Sequence, residues 1–221
     1  MTLFGVSVGA GDPGNMTLNA LAAIDRCRVI AVPETGGRSA ALGIAEGAAD
    51  LSGKEIIRLA LPMTRDPAAL SEAHRAAAER LCRVLEKEDA AMVCLGDVSL
   101  YSTFSYIAAL VRERGHAVRY IPGVCSPCAA ADAVGVPLAS GSEPLMILPY
   151  GAENFAELMD IPCRKVIIKC GSHGAELKRM LRENGTLDRA YAVENCGMAG
   201  EKIFRGEDIP DETGYFTVCI L

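Results

Sequence analysis

Ala91-Met92-Val93-Cys94-Leu95-Gly96-Asp97-Val98-Ser99-Leu100-Tyr101-Ser102-Thr103 is an apolar run that stops on a glycine and an aspartate and then enters a helical pattern. Residues 91–95 show no polar alternation, so they predict a strand buried on both faces, as in a parallel sheet covered by helices. The end of such a strand is where open α/β sheets bind ligands. Gly96 lets a ligand approach the main chain, and Asp97 is a carboxylate able to accept from a ribose or an ammonium group. Ser102 and Thr103 can cap the next helix or touch a ligand; the pattern supports both equally.

The same unit recurs on either side. Residues 4–8, 29–32, 55–59 and 118–121 read as further buried strands, the second expected to close at Pro33. Helices are predicted over 18–25 with Thr17 as N-cap, over 39–49, over 67–87 with Pro67 in the first turn, and over 102–113. Beyond Pro122-Gly123 the character changes. A helix over 126–134 and a breaker-rich loop over 135–144 lead to strands at 145–148, 165–169, 189–194, 201–204 and 215–221, with one helix at 174–183. Short turns between these strands predict a mixed sheet. The fold class is therefore two α/β domains, 1–119 with a parallel sheet and 120–221 with a mixed one.

Composition limits the partners. Twenty-two basic against 28 acidic side chains give a net charge of −6, which offers no basic excess for a nucleic-acid backbone. No apolar run approaches the roughly 20 residues of a membrane span, and the first residues lack a signal-peptide pattern, so a soluble cytoplasmic protein is expected. Nine cysteines, an odd number placed mostly inside apolar runs, read as buried thiols in a reducing compartment rather than as a disulfide framework.

Two more strand ends carry glycines. Val8-Gly9-Ala10-Gly11-Asp12-Pro13-Gly14 can hold an anion on main-chain N–H groups, but its spacing departs from the dinucleotide fingerprint, and a plain tight turn accounts for it as well. Ile121-Pro122-Gly123-Val124-Cys125-Ser126-Pro127-Cys128 runs from strand into helix. Its Cys-x-x-Cys spacing suggests redox chemistry, yet it lies mid-chain, whereas a thioredoxin-like motif follows an early strand. No second cysteine pair or nearby histidine completes a zinc site, so no metal is expected. His74, His116 and His173 form no constellation. Glu194-Asn195-Cys196-Gly197 closes a strand as a possible fourth binding loop, and Asp66 is read as a helix cap.

These loops together resemble the tetrapyrrole methylase family, the S-adenosylmethionine-dependent methyltransferases of corrin and sirohaem synthesis. The resemblance rests on Met16-Thr17-Leu18-Asn19-Ala20, on the Gly96–Thr103 loop with Val98 in place of the family's proline, and on Pro122-Gly123 followed by Ser126 and an alanine-rich helix. Pro62-Met63-Thr64-Arg65-Asp66 and Glu194-Asn195-Cys196-Gly197-Met198 are similar to the branch that methylates C(20) of precorrin-2 or cobalt-factor-2. The opening loop is shorter than the family's usual Gly-Pro-Gly-Asp-Pro form.

The resemblance implies two α/β domains with S-adenosylmethionine in the cleft between them, and a homodimer. It implies cofactor contacts at Leu95, Gly96, Asp97, Ser102, Thr103, Cys125, Ser126, Tyr150 and Cys196. The tetrapyrrole would face Asp12 and Pro13, with Arg38, Arg65 and Lys169 as clamps for its carboxylates. Asp97 and Glu194 are weak candidates for a base. A family member acting at another ring position, and a binding module without turnover, are the alternatives.

Overall fold

The computed structural model describes all 221 residues except Arg38 and Arg65. It falls into two compact units, Met1–Cys125 and Ser126–Leu221. A boundary after residue 119 would cut the last strand of the first unit, which pairs along its length with the first strand.

In the first unit, strands β1 (Thr2–Ser7), β2 (Val29–Glu34), β3 (Glu55–Ala60), β4 (Ala90–Cys94) and β5 (Ala117–Ile121) alternate with helices α1 (Leu18–Arg26), α2 (Ala40–Ala48), α3 (Pro67–Leu85) and α4 (Phe104–Glu113). The sheet is parallel throughout, in the order β3-β2-β4-β1-β5. Strand β4 is buried along its whole length, as its unbroken apolar run requires. Gly5 in β1 is a packing necessity: a Cβ there would lie 2.3 Å from the ring of Phe104, a fully buried residue of α4.

Caps set the helix starts. Thr17 and Ser39 accept from the N–H groups of Ala20 and Leu42, and Asp66 accepts from Ala68 ahead of Pro67. Strand β2 does not close at Pro33 but runs through it. The Glu34 carbonyl accepts from Leu61 on the β3 side, so Pro33, one residue earlier, faces the other way. Pairing with β4 has already ended at Ala31 on that side, and the missing N–H costs no ladder bond.

The second unit holds α5 (Ser126–Val134), β6 (Leu145–Pro149), α6 (Phe155–Asp160), β7 (Arg164–Ile168), α7 (Gly174–Glu183), β8 (Tyr191–Glu194), β9 (Lys202–Arg205) and β10 (Thr217–Ile220). Helix α6 has no counterpart in the sequence reading, being a single short apolar-polar stretch after a left-handed Asn154. The sheet is mixed, ordered β6-β7-β10-β8-β9. β6 and β7 are parallel, whereas β10 runs antiparallel to β7 and β8. The carboxyl ends of β6, β7 and β8 therefore share one edge with the start of β10. The segment 189–190 expected in β8 lies in a single 3-10 turn instead, Leu187–Arg189. No helix among the described residues is long and apolar enough to cross a membrane.

Candidate functional site

Connections fix the site in the first unit. From β1 the chain crosses leftward past β4 to β2; from β4 it crosses rightward past β1 to β5. Neighbouring strands whose connections diverge leave a crevice beyond their carboxyl ends. The loops that fill it are the three glycine-bearing strand ends. Gly9 and Gly96 bond to each other outside the sheet, Gly9 N–H to Gly96 O at 3.2 Å and Gly96 N–H to Gly9 O at 2.8 Å.

Asp97 ties these loops together. Its Oδ2 accepts from Gly123 N–H at 2.8 Å and from Ser7 Oγ at 3.5 Å, and its Oδ1 accepts from the Ser99 N–H and hydroxyl. Ser7, fully buried at the end of β1, in turn accepts from Val98 N–H at 3.0 Å. Burial opposes the Asp97 charge, but the donations from Ser99, Gly123 and Ser7 outweigh it and hold the carboxyl below the usual carboxylate range. Gly123 is as small as it must be, since a Cβ would lie 2.5 Å from Ser7 Cβ. Thr17 adds a further tie, its hydroxyl donating to Pro122 O at 3.2 Å. Sequence reasoning placed Asp97 at the site but missed Ser7, a lone serine inside an apolar strand.

Gly96 has φ +71°, and a Cβ built on it meets nothing within 4 Å. Its main chain thus borders open space, the cradle a bound group would need, with half-buried Leu95 beside it. Ser102 Oγ accepts from Phe104 N–H at 3.2 Å, a capping role, whereas Thr103, the N-cap position of α4, makes no side-chain cap bond. Asp12 accepts from Gly14 N–H at 2.7 Å and starts a single 3-10 turn, and Pro13 packs where a Cβ on Gly47 of α2 would stand. Cys125 is half-buried at the end of this unit.

The carboxyl edge of the second unit gathers Tyr150 after β6, Lys169 after β7, and Asn195 and Cys196 after β8. Lys169 and Asn195 both adopt left-handed φ, +62° and +53°, a conformation that non-glycine residues hold only where surrounding structure imposes it. Tyr150 donates its hydroxyl to Glu176 of α7 at 2.5 Å and stacks on His173 with ring centroids 4.4 Å apart. Burial, then Glu176, pushes its ionisation up to about 12. Neither Glu176 nor His173 belonged to the expected site; nothing in linear spacing joins residues 150, 173 and 176. Burial first, then Glu201 and Asp132, pushes the Cys196 thiol up to about 11. Glu194 Oε1 accepts from Gly214 N–H at 2.9 Å, a positioning contact. Ser126 opens α5, with Cys128 exposed one turn into it. Arg38 and Arg65 lie outside the described residues.

The nine cysteines are free thiols, and Cys27, Cys82, Cys94, Cys170, Cys196 and Cys219 are buried. No cluster of metal-ligating side chains occurs among the described residues.

Residues 2–207 match the family model of the tetrapyrrole (corrin/porphyrin) methylases. The chain belongs to the tetrapyrrole methylase family. Among curated proteins it is 38% identical over 153 residues to the probable cobalt-precorrin-2 C(20)-methyltransferase of Methanocaldococcus jannaschii, covering 68% of this chain and 65% of that one. It is 31% identical along its whole length to the cobalamin biosynthesis protein CobIJ of Mycobacterium tuberculosis, of which it spans 46%. It is 28% identical to the precorrin-2 C(20)-methyltransferase of a Sinorhizobium species, covering 99% of this chain and 94% of that one. The methylase thus spans less than two thirds of the first two relatives.

Solved structures share the methylase fold. A cobalt precorrin-4 methyltransferase, CbiF, superposes with a TM-score of 0.77 at 16% identity, covering 99% of this chain and 93% of the other. The uroporphyrin-III C-methyltransferase of Thermus thermophilus, complexed with S-adenosyl homocysteine, gives 0.70 at 16%, covering 100% and 96%.

Proposed function

We propose that this methylase is an S-adenosylmethionine-dependent C-methyltransferase of cobalamin biosynthesis that acts at C(20) of precorrin-2 or cobalt-factor-2. The observation that carries the reading is the Asp97 node, which ties three strand-end loops together around the open face of Gly96. The C(20)-methyltransferase names of the archaeal and Sinorhizobium relatives support the position on the ring.

When bound, S-adenosylmethionine supplies a methyl group on an electron-poor sulfonium. Leu95, Gly96 and Asp97, with Cys125 and Ser126, are the residues assigned to hold it, and Tyr150 and Cys196 are assigned to it on the second unit. A reduced tetrapyrrole is electron-rich at its meso carbons, so the chain's task is orientation rather than activation. Fixed orientation can supply roughly 7–11 kcal/mol of a barrier. A rigid node of main-chain donors on one carboxylate suits that task. The depressed ionisation of Asp97 makes it a poor proton acceptor, and Glu194 is engaged by Gly214, which leaves the meso proton to water. Lys169, exposed at the end of β7, with Arg38 and Arg65, is assigned to the substrate's carboxylates, and Asp12 and Pro13 to its face. The reading carries a homodimer and a cytoplasmic setting with it; light scattering of the purified chain tests the former.

The test is anaerobic incubation with S-adenosylmethionine and either precorrin-2 or cobalt-factor-2, followed by product mass and methyl position. One added methyl at C(20) is expected, and the faster substrate assigns the metal state. A methyl at another carbon would redirect the regiochemistry, and cofactor binding with no transfer would leave a binding module.

A further inference from the structure

The segment 210–216 crosses the carboxyl edge of the second sheet and carries two aromatic rings, Tyr215 and Phe216, at 54% and 38% exposure. Its backbone is pinned from below. Thr213 donates through its N–H and its hydroxyl to Gly171 O, at 2.9 and 3.0 Å. Asp211 O accepts from Ala175 N–H, Phe216 O from Asn195 N–H, and Gly214 donates to Glu194. The fit leaves no slack: a Cβ on Gly171 would lie 2.1 Å from Gly214 O, and one on Gly174 2.5 Å from Pro210 O. The two rings meet edge to face, centroids 5.0 Å apart. Apolar rings held this rigidly yet left half in water are not core residues that failed to bury.

We propose that Tyr215 and Phe216 form the platform on which one face of the tetrapyrrole macrocycle rests, an inference that builds on the methyltransferase reading above. Three observations carry it. First, β10 pairs Thr217 with Glu194 and Val218 with Ile168, so the rings stand beside Cys170 and Asn195 on the edge that also holds Lys169 and Cys196. Second, a flat conjugated ring rimmed with carboxylates calls for an aromatic surface with a cation nearby, and exposed Lys169 is on the same edge. Third, the family match ends at residue 207. The methyl donor is common to the family, whereas the ring it modifies differs between members. A contact built outside the shared segment therefore suits the ring.

The experiment is anaerobic titration calorimetry of the full chain with precorrin-2 and, separately, with S-adenosylhomocysteine. Tyr215→Ala and Phe216→Ala are each expected to weaken precorrin-2 binding about tenfold, with S-adenosylhomocysteine affinity held within about twofold and the thermal midpoint unchanged. Tyr215→Phe keeps the ring and is expected to bind like the parent; Phe216→Leu keeps apolar bulk without a π face and is expected to weaken binding. Unchanged precorrin-2 affinity in the folded alanine variants would overturn the proposal. Loss of S-adenosylhomocysteine affinity instead would assign the rings to the adenine and overturn it equally. A parent chain that binds neither ligand would overturn the methyltransferase reading first, and the platform with it.

Discussion

The two carboxyl edges of this methylase are built by opposite means. In the first unit the loops are held by main-chain donors converging on one carboxylate: Gly123 and Ser99 N–H groups on Asp97, Val98 N–H on Ser7, and Gly9 and Gly96 on each other. In the second, side chains do the holding and side chains are what is displayed. Tyr150 leans on Glu176 and His173, Glu194 clasps Gly214, and Lys169 and Asn195 sit in left-handed φ. An edge made of backbone can change its side chains freely and keep its shape. An edge made of side chains changes its surface whenever the sequence drifts. The contrast matches an edge kept for a donor common to all members and one left free to follow the substrate.

The sharpest way to break that comparison is at Asp97. Asp97→Ala strands the Gly123 and Ser99 N–H groups and should cost roughly 3 kcal/mol of stability, with methyl transfer falling at least about a hundredfold as the loops lose register. Asp97→Asn separates charge from shape. Because the native carboxyl ionises below its unfolded value of about 3.9, its stabilisation is complete above that pH and is lost as pH falls through the lower native value. Urea midpoints of parent and Asp97→Asn should therefore differ at pH 7 and converge towards pH 2. An equal gap at both pH values would mean that charge plays no part in the node.

Glycine substitutions rank next. Gly171→Ala drives a Cβ to 2.1 Å from a backbone oxygen that cannot rotate away, and Gly123→Ala to 2.5 Å from the buried Ser7 Cβ. Each should cost about 1–3 kcal/mol by overpacking. Gly96→Ala meets no atom, so only its φ of +71° opposes it, about 1–2 kcal/mol. Its distinguishing effect should be on the ligand: the new methyl fills the space beside the main chain, and S-adenosylhomocysteine affinity should fall although the fold persists. Calorimetry beside a denaturation curve checks both, and a Gly96→Ala chain with parental affinity would remove the cradle from the donor site.

Most of the first unit was legible in the sequence because its signals are local. Unbroken apolar runs such as 91–95 gave strands, and Thr17, Ser39 and Asp66 marked helix starts that the structure confirms. The strand that passed Pro33 was misread because only the end of pairing with β4 makes proline tolerable there, and that is a fact about a neighbour. The Asp97 loop was visible as a motif, but Ser7, ninety residues away and buried, was not. In the second unit the elements were found while their joining was not. Glu176, His173 and the pinned segment 210–216 depend on contacts across the sheet that no spacing encodes.

Tyr150→Phe makes the smallest change and separates the two ways of holding an edge most cleanly. It deletes one hydroxyl, leaves the ring stacked on His173, and releases an exposed Glu176 into water. The stability loss should therefore stay near 1 kcal/mol. A clearer readout lies in alkaline titration. A tyrosine whose native ionisation is raised to about 12 favours the folded state below its unfolded value near 10 and loses that advantage as pH rises through 12. Tyrosinate absorbance of the parent should show a late component near pH 12 that is missing from Tyr150→Phe. If the late component survives the substitution, Glu176 is not what holds the ring, and the side-chain edge has to be explained by stacking alone.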